Sequence, residues 1–254
     1  VYFNFNLIIN KKFDSICLKK LNINPSLKYQ HKWLTCFEPE YHLDELSQYI
    51  FDKYISEKND DKKVLNIFGY SFKDDTTLRR IGEIAESQNT LINLKKSQTL
   101  GLPVVGACLH DLFKNTNLKN LKKIAKLHRK ADILIIRHVL EHTWDLNLFL
   151  DSIKELVEDD GILVFEIPDS EKGLRNGLHS LLWEEHAHYL TEDSLLRIFE
   201  LCSFQILDFM RYPNELEDSL VVILKKNIYS KVRRNNTNFS SGILKEYIAK
   251  FNLK

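Results

Sequence analysis

Ala131-Asp132-Ile133-Leu134-Ile135-Ile136-Arg137-His138-Val139-Leu140-Glu141-His142 is the stretch on which the fold turns. Its first six residues are apolar on both sides of the chain apart from Asp132, the pattern of a strand covered on two faces. Such strands belong to parallel sheets, whose crossover connections bring helices to each face. The apolar run then ends abruptly in arginine, histidine and glutamate. In an open α/β sheet, ligands bind at the carboxyl ends of the strands.

The same alternation extends outward on both sides. Upstream, Val64-Leu65-Asn66-Ile67-Phe68 is a short β-type run ending at Gly69, and Asp75 can cap a helix that carries Leu78, Ile81 and Ala85 on one face. Residues 90–94 and 103–107 read as two more strands, and Leu118, Leu121, Ile124 and Ala125 mark an amphipathic helix. Downstream, Leu146, Leu150, Ile153 and Val157 recur at helical spacing, and Asp159-Asp160-Gly161 turns into the buried strand 162–167. Thr191 caps a helix with Leu195, Phe199 and Cys202 inward. Residues 204–209 and 219–224 form two strands joined around Pro213, too close for a helix between them, so they pair antiparallel.

This order predicts a doubly wound α/β sheet over residues 61–226. Residues 1–60 hold one helix (Leu46, Tyr49, Ile50, Tyr54) and no strand series, so they read as an N-terminal helical cap on the acceptor side. Residues 227–254 form a basic tail; from 225 to 254 there are eight Lys/Arg against one Glu, the pattern of a frayed helix.

With 44% hydrophobic residues in 254, the chain can bury a core, which excludes wholesale disorder. A net charge of +1 argues against a nucleic-acid partner. No apolar run approaches the roughly 18 residues of a membrane span. The first residues lack a basic leader and a small-residue cleavage site, and the chain begins on Val1 rather than Met, as a fragment or processed chain would. Cys17, Cys36, Cys108 and Cys202 form no C-x-x-C pair, which suits a reducing cytoplasm.

Residues 131–142 resemble the "D-hydrophobic-R-H-V-L-E-H" segment of class I S-adenosylmethionine methyltransferases, in particular the bacterial branch that methylates nucleotide-linked sugars. Glu166-Ile167-Pro168 is similar to that branch's "E-x-P", and Trp183-Glu184-Glu185-His186-Ala187-His188-Tyr189-Leu190-Thr191 to its "Y-x-E-H-x-x-Y-F-T". The resemblance implies a seven-stranded Rossmann-like fold with S-adenosylmethionine as cofactor and a sugar or sugar-nucleotide acceptor in surface-polysaccharide (capsule) biosynthesis. It implies His186 as general base, Glu185 orienting it, His142 in support and Tyr189 lining the pocket. On the cofactor side it implies Phe68, Gly69, Tyr70, Ser71, Asn93, Asp111, Arg137 and His138. No metal is assigned. O-methylation is favoured, because the C-x-x-C zinc module and C-terminal domain of sugar C-methyltransferases are missing.

The first loop departs from the family pattern. Asn66 stands at its acidic position, and Gly69-Tyr70-Ser71-Phe72-Lys73 keeps one glycine of three. The second strand offers Asn93, then Lys95 and Lys96, where the family holds the ribose with a carboxylate. These departures sustain an alternative, a degenerate methyltransferase fold that binds without catalysis. Another is a zinc hydrolase, because His138-Val-Leu-Glu141-His142 is an H-x-x-E-H motif; that chemistry requires both histidines on one helical face. The seven Lys/Arg among residues 114–130, with no acid, are a solvated helix face or an aid to an anionic acceptor.

Overall fold

The computed structural model describes residues 7–19, 41–56, 64–71, 76–96, 126, 129–143, 145–182, 186–215, 217–227 and 241–252. Its centre is a six-stranded sheet of order β4-β3-β5-β6-β9-β8, built from β3 (Leu65–Ser71), β4 (Ile92–Lys96), β5 (Ala131–Arg137), β6 (Val157–Pro168), β8 (Phe204–Tyr212) and β9 (Ser219–Lys226). β3 pairs in parallel with both β4 and β5, and β5 with β6. Only β9 runs against the others, between β6 and β8, as the short connection around Pro213 requires. The expected strand at 103–107 lies outside the described residues.

Helices cover both faces. On one face lie α3 (Leu146–Ile153) and α5 (Glu192–Leu201), whose Leu146, Phe149, Leu150, Leu195, Ile198 and Phe199 pack on Phe68, Leu134, Phe165 and Val222 of the sheet. On the other lie α1 (Leu43–Ile50), its π-helical extension Phe51–Ile55, and α2 (Thr76–Ser87), packed on Leu65, Ile67, Ile133, Val164 and Ile223. Successive strand residues therefore alternate between two buried layers. That is why β5 shows no polar face and is buried throughout. Asp145 accepts from the Leu148 amide at the start of α3, and Thr191 with Ser194 closes a capping box on α5.

The ends differ from expectation. The N-terminal segment is not a helical cap alone. Residues β1 (Leu7–Asn10) and β2 (Ser15–Leu18) form an antiparallel hairpin that pairs with β7 (His188–Tyr189), while α1 joins α2 on the sheet. The strand signal was missed because two four-residue strands are too short to show a period. The hairpin turn lodges Phe13, 2% exposed, in the core on the α3 face. Nor is the basic tail merely frayed: α6 (Ser241–Asn252) sets Leu244, Tyr247 and Phe251 against Ile16, Leu18, Leu174 and Tyr189. Lys245 and Glu246 are exposed, while Lys250 lies against Arg175 and Gly177. No helix among the described residues is long and apolar enough to cross a membrane.

Candidate active site

The site is built where the two central strands end. β5 stops at Arg137, and His138 takes a left-handed backbone, φ 50°, with its amide donating to the Glu166 carbonyl at 2.9 Å. A non-glycine residue held there is strained, and such strain tends to sit at functional turns. The chain then makes one 3₁₀ turn, Leu140–His142, placing Glu141 and His142 at 2% exposure each beneath the strand ends.

Two clusters follow from the pleat. On the α1 face, Glu166 of β6 receives Arg137 Nε at 2.6 Å and lies 3.0 Å from His42 Nε2. His42 in turn stacks on Tyr212 with ring centroids 4.4 Å apart. Burial would raise the Glu166 carboxyl, but the Arg137 charge and contacts from His138 and His42 hold it well below the usual carboxylate range.

On the opposite side of the turn, Glu141 Oε1 stands 3.6 Å from His138 Nδ1 and 3.7 Å from His142 Nε2. The His142 and His186 rings meet edge to face at 4.8 Å. His186 arrives from the distant segment preceding β7, a strand fixed by its pairing with the N-terminal hairpin. Burial resists charge on Glu141, yet the surrounding histidines keep its carboxyl below the ordinary value. Burial and the neighbouring His142 push the half-buried His186 down to about 3, so its imidazole is neutral at physiological pH.

Of the residues expected to act on the acceptor, His186 and His142 are brought together, and Tyr189 stands 6.2 Å from His186. Tyr189, 1% exposed, packs with the hairpin and α6, so it braces the loop rather than lining a pocket. Glu185 and Asp111 lie outside the described residues.

The cofactor-side set divides. Gly69, Tyr70, Ser71 and His138 gather at adjoining ends of β3 and β5. Arg137 does not join them, because its guanidinium is engaged by Glu166 and 2% exposed. Phe68 is a core residue, fully buried against the α3 layer. Asn93 is at the wrong end: it sits near the start of β4, donating to Asn66 Oδ1 at 2.9 Å, while the Asn66 amide donates to Asp132. The carboxyl end of β4 carries Lys95 and Lys96 instead.

The metallopeptidase geometry is also absent from His138–His142. The segment is a strand end followed by a 3₁₀ turn, so its histidines do not share one face of an α-helix. In the sequence, Glu141 stands out only within the H-x-x-E-H motif, Glu166 within the E-x-P resemblance and His42 as one residue of an aromatic-rich segment before α1; none of these signals the buried clusters they form. Glu166 was legible as a lone charge inside Ile162-Leu163-Val164-Phe165-Glu166-Ile167; nothing in the local sequence linked His42 to it.

The sequence profile of a family described as "Methyltransferase domain" matches residues 71–208, more than half of the chain. No curated protein sequence matches it. Among solved structures, the carbon methyltransferase DszA superposes with a TM-score of 0.50 at 11% identity, over 76% of this chain and 56% of that one. An S-adenosylmethionine-dependent methyltransferase from Clostridium acetobutylicum ATCC 824 gives a TM-score of 0.44 at 10% identity, over 76% of this chain and 95% of that one. The 1,6-didemethyltoxoflavin-N1-methyltransferase from Burkholderia thailandensis gives 0.45 at 12% identity, over 74% and 79%. At such identities the likeness concerns the fold.

Proposed function

The chain belongs to the methyltransferase-domain family, and on that premise we propose that it transfers a methyl group from S-adenosylmethionine to a hydroxyl of a nucleotide-linked or phosphorylated sugar used in surface-polysaccharide assembly. The convergence of Glu141, His142 and His186 beside the end of β5 carries the proposal. Ligands of open α/β sheets bind at the carboxyl ends of the strands, where these three side chains would stand beside the acceptor oxygen.

The ends of β3 and β5 fit the cofactor in one half and depart from the family pattern in the other. Gly69 alone remains of the family's glycines, and the rings of the flanking Phe68 and Tyr70 lie in the core on the α3 face, Tyr70 at 6.2 Å from Phe149. The Tyr70 hydroxyl is buried there without a hydrogen-bond partner among the described residues, and a polar ligand at the strand end would satisfy it. The main chain at Gly69, Tyr70 and Ser71, with His138 opposite, would hold the cofactor. Lys95 at the end of β4 cannot accept hydrogen bonds from ribose hydroxyls as a carboxylate does, so that end is held differently.

When bound, the cofactor supplies an electrophilic methyl on sulfonium sulfur. The protein's tasks are then to position the acceptor oxygen in line, exclude water and accommodate the departing proton. We assign deprotonation to His186; a ring pushed down to about 3 is a weak base, so the role depends on the buried Glu141 carboxylate stabilising the charged ring in the loaded site. His142 packs against its ring and Glu141 lies behind both, so a positive charge formed on either ring meets a buried carboxylate. Glu185, its neighbour in sequence, is assigned either to orient His186 or to hold the acceptor hydroxyl.

His186→Ala tests the assignment. We expect turnover to fall at least about 100-fold, the scale of general-base catalysis, while calorimetry shows cofactor binding unchanged. Unaltered turnover would remove His186 from the reaction.

A further inference from the structure

Glu141, His142 and His186 present one carboxylate oxygen and two ring nitrogens within 4.8 Å of one another. Two ligand atoms on a tetrahedral cation with bonds near 2.1 Å stand roughly 3.4 Å apart. Glu141 Oε1 and His142 Nε2, at 3.7 Å, are already close to that spacing. The widest pair in the cluster would have to close by at most roughly 1.4 Å. His186 is the member best able to move, because it is half-buried and sits in a loop, while Glu141 and His142 belong to a packed turn.

A second, independent observation concerns Glu141. Its other oxygen, Oε2, is buried and has no hydrogen-bond partner among the described residues, in a side chain only 2% exposed. A buried acceptor left unsatisfied costs about 1–3 kcal/mol, more when charged. A cation bound by this carboxylate would remove that cost. Two imidazoles with one carboxylate are the donors of Zn²⁺, Mn²⁺ or Fe²⁺ sites rather than of Mg²⁺ or Ca²⁺, which prefer all-oxygen shells. Three protein ligands also leave coordination positions open.

We infer that Glu141, His142 and His186 form a site for one divalent transition-metal cation that fixes and polarises the acceptor's oxygen. The inference rests on the reading of this cluster as the acceptor side of the site, and it refines one step. His186 serves as a ligand, and the hydroxyl proton leaves to solvent instead of to its ring. The C–S bond of the donor breaks as the O–C bond forms, and sulfur keeps the electron pair.

The test is calorimetric titration of the full chain, stripped with chelator, with Zn²⁺ and separately with Mn²⁺. We expect one cation per chain and at least a tenfold weaker affinity for His186→Ala and for Glu141→Gln. Glu141 is buried, and its variant could fail to fold; His186→Ala, on a half-buried loop, is therefore the deciding variant, with metal-free thermal melting as the check on its fold. His179→Ala, a surface control, should bind the cation as the parent does. Absence of saturable binding, or parental affinity in folded His186→Ala, would overturn the inference. Titration with S-adenosylhomocysteine in the absence of metal separates the two readings. A chain that binds this nucleoside but no cation contradicts the metal site and leaves methyl transfer standing. A chain that binds the cation but never the nucleoside supports the metal site and contradicts methyl transfer.

Discussion

Glu166 is fully buried with Arg137 at 2.6 Å and His42 at 3.0 Å, and its energetics follow from that enclosure. Removing one partner of a buried pair leaves the other charge stranded, typically at about 3–5 kcal/mol. Glu166→Leu should therefore lower unfolding stability by about that amount in urea titration. Adding Arg137→Met to it should restore part of the loss, since the stranded guanidinium is then gone. The sign with pH is also fixed. The folded-state carboxyl titrates well below its ordinary 4.5, so its stabilisation is complete above that value and is lost as pH falls through the folded value. Urea midpoints of the parent chain should drop steeply below about pH 4.5, and those of Glu166→Gln less so. At this scale the sequence was partly legible. His142 and His186 carried their chemistry in their type and motif. Asn93 did not: β4 begins at Ile92, which leaves Asn93 near the amino end of the strand, and so short an apolar run does not mark where a strand starts.

The element most easily misread was α6. Lys and Arg dominate its surroundings, but Leu244, Tyr247 and Phe251 recur at intervals of three and four, one stripe of a helix. That stripe covers the hairpin, and the hairpin positions the loop carrying His186. Tyr247→Ala should cost about 3 kcal/mol in chemical denaturation, the scale for truncating a buried aromatic. Deleting residues 228–254 should lower the melting temperature and raise binding of a hydrophobic dye, because Ile16, Leu18 and Leu174 lose their cover. An unchanged melting temperature would contradict the packing described. α4 (Glu171–Asn176) ends at Gly177 in a left-handed conformation, φ 63°, and an added Cβ would stand 3.1 Å from Lys250 Cβ of α6. Gly177→Ala should therefore cost about 1 kcal/mol or more, read from the same denaturation curves. The long, doubly apolar β5 and β6 were legible because burial on both faces erases alternation. The four-residue strands β1 and β2 were not, because their stability comes from pairing with β7, far away in sequence.

For the whole molecule, one parallel-rich sheet collects groups from the segments at 42, 69–71, 137–142, 166 and 186 along a single edge. The family match covers the core of that assembly, and the hairpin and α6 brace it from outside. The alternating strand and helix pattern made this architecture readable from sequence; convergence of distant polar residues on one edge of the sheet became visible only with the strands in register. The account's central claim is that this edge binds the methyl donor despite a first loop with one glycine and lysines at the end of β4. Isothermal titration of the purified chain with S-adenosylhomocysteine tests it most directly. The account predicts saturable binding at one site per chain, weakened at least tenfold by His138→Ala; a flat titration at millimolar ligand with folded protein would contradict it.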